Sequence, residues 1–153
     1  MSTCTGSTAL RVGVDVLDRR ELDRLTRRPW FLRFGYAPGE VEEAAGMGAR
    51  RRSEFLSGRF AAKEAVLKAL GHGLLQGVAP SDIWVVREEG GAPRVVFLGE
   101  AARMGLPPVS LSISHKENVV VAVALCVRGS GAPRPPGSGP NDEKEVGVHE
   151  HHH

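Results

Sequence analysis

Residues 55–73, FLSGRFAAKEAVLKALGHG, leave the fold little freedom: their apolar positions recur at helical spacing, and their charges fall in the wrong place for a solvated face. At about 100° per residue, Phe55, Leu56, Phe60, Ala62, Val66, Leu67, Ala69 and Leu70 form one broad apolar arc, which other structure must cover. The spacing predicts a helix from about Arg50 to Leu70, closed by Gly71. Arg59 and Lys63 fall inside the arc, four residues apart. Two like charges there repel by roughly 0.2–0.5 kcal/mol, and desolvation costs more. An anionic partner would resolve the conflict and makes both residues candidate cofactor contacts. The alternative is that both aliphatic stems snorkel and carry their heads to water or to a neighbouring subunit. Glu64 and Lys68 lie at the edge of the arc, spaced as a Glu-to-Lys pair. Alone, such a pair is more often a surface salt bridge worth about 0–1 kcal/mol than a site.

Other segments supply the cover. From Arg11 to Val16, Val12, Val14 and Val16 share one face of a strand while Gly13 and Asp15 share the other. A polar helix is expected from about Asp18 to Arg28, ended by Pro29, followed by an irregular stretch containing Trp30, Phe34, Tyr36 and Pro38. Ile83–Val86 and Val95–Leu98 flank the turn sequence EEGGAP as a hairpin, and a short helix covers Glu100–Met104. Val109, Leu111 and Ile113 alternate with serines, and after the polar KEN comes an apolar strand from Val119 to Val127, a second hairpin with His115 at its mouth. Together these give an α+β single domain: a small antiparallel sheet packed with one long helix and shorter ones. Residues 10–128 form that domain, whereas 1–9 and 129–153, rich in Ser, Thr, Gly and Pro, are expected to be disordered.

The net charge of +2 argues against a strong polyanion binder. The run Arg50–Arg52 lacks the aromatic platforms or long basic face of a nucleic-acid site and reads as a solvated helix start. No apolar run approaches the roughly 20 residues of a membrane helix, and the first nine residues do not form a signal sequence. Two cysteines, Cys4 and Cys126, make neither a disulfide framework nor a zinc site, so a soluble, cytoplasmic protein is expected. The closing HEHHH is set aside as a metal site.

A helix packed on the sheet could bring Glu64 close to Asp15. Two converging carboxylates without Cys or His suit a hard cation such as Mg²⁺, which takes one or two protein carboxylates plus phosphate oxygens and water. Lys68 and the backbone amides at Gly71 and Gly73 could hold further phosphate oxygens. His115 is either a structural residue or, with Ser114 and Lys116, part of a donor cluster for another phosphate.

VGVD near the start, GRFAAKEAVLKALGHG in the middle and SISH near the end resemble the holo-acyl-carrier-protein synthases, the small branch of the 4′-phosphopantetheinyl transferases, over roughly residues 11–127. The resemblance implies Asp15 and Glu64 as Mg²⁺ ligands and Lys68 as the contact to the coenzyme A diphosphate. Arg51, Arg59 and His115 fall where the family binds the nucleotide end with its 3′-phosphate. Gly71 and Gly73 match the loop beneath the diphosphate, and Gly91 with Pro93 matches the hairpin turn. It further implies a homotrimer with active sites between subunits, and attack of a serine of an apo acyl carrier protein on the β-phosphorus of coenzyme A, releasing adenosine 3′,5′-bisphosphate. Glu64 or a metal-bound water could take the serine proton. Two departures stand out: Glu21 replaces the usual cation on the carrier-docking helix, with Arg19, Arg20, Arg24, Arg27 and Arg28 nearby, and Lys116 follows the histidine. A coenzyme A-binding protein without turnover is the alternative.

Overall fold

A computed structural model of the chain describes residues 8–71 and 77–128. Its elements, in order, are β1 (Ala9–Asp18), α1 (Arg19–Leu25), α2 (Pro29–Gly35), α3 (Pro38–Ala45), α4 (Ala49–Leu70), a 3-10 turn (Pro80–Asp82), β2 (Ile83–Arg87), β3 (Pro93–Phe97), α5 (Gly99–Arg103), β4 (Val109–Lys116) and β5 (Val119–Arg128). The terminal segments 1–7 and 129–153, together with Gly73, lie outside the described residues.

The expected α+β class holds. β1, β5 and β4 form one antiparallel sheet in that order, and β2–β3 is a separate hairpin whose second strand lies against β4. α4 crosses the inner face of the larger sheet, where Ala61, Ala65 and Ala69 meet Val120, Ala122 and Ala124 in a core that excludes water. Small side chains let helix and sheet approach closely, and Gly13 marks the limit. A β-carbon built there would lie 1.9 Å from the Ala65 carbonyl oxygen and 2.6 Å from the Ala69 nitrogen. As expected, α4 ends on Gly71 in the left-handed region (φ 77°), its amide donating to the Leu67 and Lys68 carbonyls.

Two expectations need correction. The first helix stops at Leu25, three residues early, because Thr26 caps it and Pro29 confines Arg28 to an extended conformation. The stretch expected to be irregular is helical twice over. Proline opens both α2 and α3 at a position where its missing N–H costs nothing, and Glu40 at the start of α3 accepts a hydrogen bond from the Ala37 amide (2.9 Å). A second apolar cluster forms where α1, α2 and α3 meet the N-terminal half of α4, burying Leu22, Phe31, Tyr36, Ala44 and Leu56. Tyr36 donates its hydroxyl hydrogen to the Leu56 carbonyl at 2.9 Å.

The outer sheet face has no cover among the described residues. Leu10, Val12 and Val16 are 65%, 55% and 61% exposed, and Leu125 and Val127 of the neighbouring strand are exposed beside them. No helix among the described residues is long and apolar enough to cross a membrane.

Candidate active site

The pleat of β1 decides where Asp15 goes. It shares the inner face with Gly13, and the close approach at Gly13 brings α4 over it. Lys68 donates from Nζ to Asp15 Oδ1 at 3.0 Å and to the Val14 carbonyl at 2.9 Å. Glu64, one turn earlier on the same helix, has its Oε1 buried without a hydrogen-bond donor. Burial raises the proton affinity of Glu64, the negative charge of Asp15 raises it further, and Lys68 opposes both. Two carboxylates close enough to repel, sharing one lysine and keeping a buried oxygen unspent, fit a hard cation. No third His, Cys, Asp or Glu joins them among the described residues, so other oxygens would have to complete its coordination.

A cleft of about 450 Å³ opens beside the N-terminal half of α4, lined in part by Arg51, Phe55, Gly58, Arg59, Arg87 and His115. His115 sits close over Gly58: a β-carbon on that glycine would lie 3.0 Å from His115 Nε2. In the sheet, Asp15 pairs with Ala122 and His115 with Val120, on the same inner face. Strand spacing and rise therefore put the two residues about 12 Å apart. Arg59 is 7% exposed; its guanidinium carbon stands 4.5 Å from the Phe55 ring centroid, and its Nε has no acceptor. Burial lowers its pKa against the pull of Glu40 and Glu43. From Arg59 to Glu64 is about 7.5 Å along the helix, so α4 carries residues of the basic cleft and then Glu64, which faces Asp15 of β1.

Lys63 does not reach this cleft, and its expected role as a cofactor contact is corrected. It is fully buried, its Nζ 2.5 Å from Glu40 Oε2, donating to the carbonyls of Ile83 (2.6 Å) and Pro80 (3.0 Å). Glu40 in turn accepts from the Val85 amide at 3.0 Å. The anion that the apolar arc required is thus supplied by α3. Of the other expected contacts, Arg51, Arg59 and His115 meet in the cleft, Lys68 lies with Asp15, and Gly71 caps the helix. Arg87 also lines the cleft without having been singled out, and so do Phe55, expected in the apolar arc, and Arg19, expected near the docking helix. Arg87 closes a short strand, and a lone cation there carries no signal in sequence.

An α+β fold that sets a strand carboxylate against a carboxylate and a lysine of the same helix that lines an arginine-rich cleft defines a protein suited to a polyphosphate ligand. Residues 11–124 match the 4′-phosphopantetheinyl transferase superfamily. The chain is 38% identical over 121 residues to the holo-[acyl-carrier-protein] synthase of Moorella thermoacetica, covering 76% of this chain and 92% of that one. Its fold is similar to a crystal structure of a holo-(acyl-carrier-protein) synthase from Bacillus anthracis in complex with coenzyme A (3′,5′-ADP), with TM-score 0.68, 30% identity, and coverage of 79% of this chain and 98% of that one. A second similar structure is the Chronobacterium ammoniagenes synthase–coenzyme A complex, with TM-score 0.68, 29% identity, and coverage of 79% and 98%. The chain belongs to the 4′-phosphopantetheinyl transferase superfamily, in its holo-acyl-carrier-protein synthase branch.

Proposed function

We propose that the chain transfers the 4′-phosphopantetheine arm of coenzyme A to a serine of an apo acyl carrier protein, with Mg²⁺ held by Asp15 and Glu64. The observation that carries the metal reading is the buried, unpartnered Oε1 of Glu64 beside Asp15. When bound, Mg²⁺ neutralises diphosphate charge and aligns the reacting groups. Lys68, steadied by Asp15 and the Val14 carbonyl, keeps an N–H for a phosphate oxygen. The serine oxygen bonds to the β-phosphorus while the bridging P–O bond breaks, and the charge left on adenosine 3′,5′-bisphosphate develops within reach of Lys68. Glu64 takes the serine proton directly or through a water. Arg51, Arg59 and His115 bind the nucleotide end and its 3′-phosphate.

Docking of the acidic carrier falls to the end of α1 and the start of α2. Arg20 is paired with Asp18, and Arg19 is bound to Ser53 and Asn118. Arg24, Arg27 and Arg28 line one exposed groove and have no side-chain partner among the described residues. Leu25 and Trp30, 40% and 56% exposed, add apolar surface beside them. The open outer face of the sheet supports a homotrimer, in which second and third copies cover Leu10, Val12, Val14 and Val16. A cytoplasmic location suits the free thiol of Cys126.

Purified protein is incubated with coenzyme A, Mg²⁺ and a panel of apo carrier proteins, including those of its own genome. Mass spectrometry should then show one phosphopantetheine added to a carrier serine, and Asp15→Ala or chelation of the metal should abolish the addition. Tight coenzyme A binding with no mass gain on any carrier would favour a binding protein without turnover.

A further inference from the structure

We propose that Arg19 is a positioning residue: it clamps the β4–β5 turn to α4 and so holds His115 in place for the nucleotide end of coenzyme A. The inference rests on the reading of the cleft given above. Arg19 opens α1, and its backbone N–H donates to the Asn118 carbonyl at 2.7 Å. Its guanidinium spans two elements, with Nη2 donating to Asn118 Oδ1 at 2.9 Å and Nη1 to Ser53 Oγ on α4 at 3.0 Å. Ser53 passes its own hydroxyl hydrogen to Asp23 Oδ1 on α1, which fixes the direction of the Ser53 lone pairs toward the arginine. One side chain thus ties α1, α4 and the turn together.

The turn needs a clamp. It comprises Glu117 and Asn118, and Glu117 stands at φ 55°, a conformation that a residue with a β-carbon keeps only when its surroundings hold it. The His115 side chain, two residues before Glu117, makes no hydrogen bond to any described residue, so its ring depends on the turn backbone and on contact with Gly58. Arg19 also lines the cleft, and its Nε is buried without an acceptor. A direct charge contact to the ligand is therefore the competing explanation. The two differ in what lysine can do: a lysine restores the charge, but its single nitrogen does not reproduce a planar fork spanning two acceptors.

The test uses the full chain, with coenzyme A and 3′-dephospho-coenzyme A as calorimetric ligands and transfer kinetics alongside. Arg19→Ala and Asn118→Ala should each weaken coenzyme A binding and raise its KM about threefold to tenfold, the factor expected when the ligand must order a side chain the free protein no longer holds. kcat and the KM for apo carrier should stay unchanged, and 3′-dephospho-coenzyme A should lose less. The double variant should be no worse than the worse single one, because both break the same bridge. Arg19→Lys should bind as weakly as Arg19→Ala. Unchanged affinity in Arg19→Ala or Asn118→Ala, or full recovery in Arg19→Lys, overturns the positioning role. Binding is read without a carrier, so a wild-type chain that binds coenzyme A but modifies no carrier refutes the transferase reading and not this one.

Discussion

Gly13→Ala tests how the carboxylates are brought together. The added β-carbon would stand 1.9 Å from the Ala65 carbonyl oxygen, and that obstacle is helix backbone, not a side chain that can swing aside. Reaching an ordinary contact of 3.4 Å requires β1 and α4 to part by about 1.5 Å. Overpacking of this kind costs about 1–3 kcal/mol or more, and the displacement falls between Asp15 on the strand and Glu64 and Lys68 on the helix. Misplacing catalytic groups by about 1 Å can cost roughly a hundredfold in rate. Folded Gly13→Ala protein, checked by circular dichroism and urea unfolding, is therefore expected to transfer phosphopantetheine at least about a hundredfold more slowly than wild type. Gly48→Ala, where an added β-carbon meets nothing within 4 Å, should lose no rate and serves as the control. A folded Gly13→Ala enzyme within threefold of wild type would show that strand–helix spacing does not set the carboxylate pair.

Lys63→Met strands a buried carboxylate, so it should lose about 3–5 kcal/mol in urea unfolding at fixed protein concentration. Undiminished stability with weakened coenzyme A binding would return Lys63 to the ligand. Burial depresses the pKa of Lys63 to about 8 from 10.5, with Glu40 opposing. Between those values the unfolded chain holds the extra proton, so the wild-type fold should gain stability as pH rises through that window. The Met variant should lose this component, and an identical slope in both proteins would contradict the assignment. On the proposed homotrimer, Val16→Glu puts a charge on the subunit-facing side of the sheet and is expected to lower the sedimenting mass from that of a trimer to that of a monomer; a trimeric variant would send the subunit contact elsewhere. Cys126 is buried and its thiol pKa is raised by desolvation, so peptide mapping after thiol labelling at pH 8 should find it unmodified until urea is added. Labelling in the native protein would place it nearer solvent.

Local pattern carried most of this architecture. The alternation in β1 and the two hairpins, the arc of α4 and its glycine stop all rest on spacing within one segment, and each element appears near its expected bounds. α2 and α3 were missed because aromatic residues and two prolines look like loop when read without the helix starts that proline favours. Lys63 shows a different limit. Its position inside an apolar arc announced an anion, but Glu40, 23 residues upstream in that same misread stretch, could not be told from a ligand by sequence. The approach of Glu64 to Asp15 was legible because Asp15 shares the Gly13 face of β1, where a helix packed on the sheet could meet it. Arg19 and Arg87 became visible only once the turn and the hairpin had been placed beside α4.

The order of strands in the larger sheet has a consequence for biosynthesis. Among the described residues β1 pairs with β5 alone, so Ala9 waits for Arg128 and Asp15 waits for Ala122. A nascent chain that has reached Lys116 already holds Asp15, Glu64, Lys68 and His115, yet its first strand has no hydrogen-bonding neighbour and the carboxylates have no reason to meet. Closure over more than a hundred residues is slow compared with forming α4. These four side chains therefore come together only after β5 has been made, and a fragment ending at Asn118 would contain them while lacking the strand that assembles them.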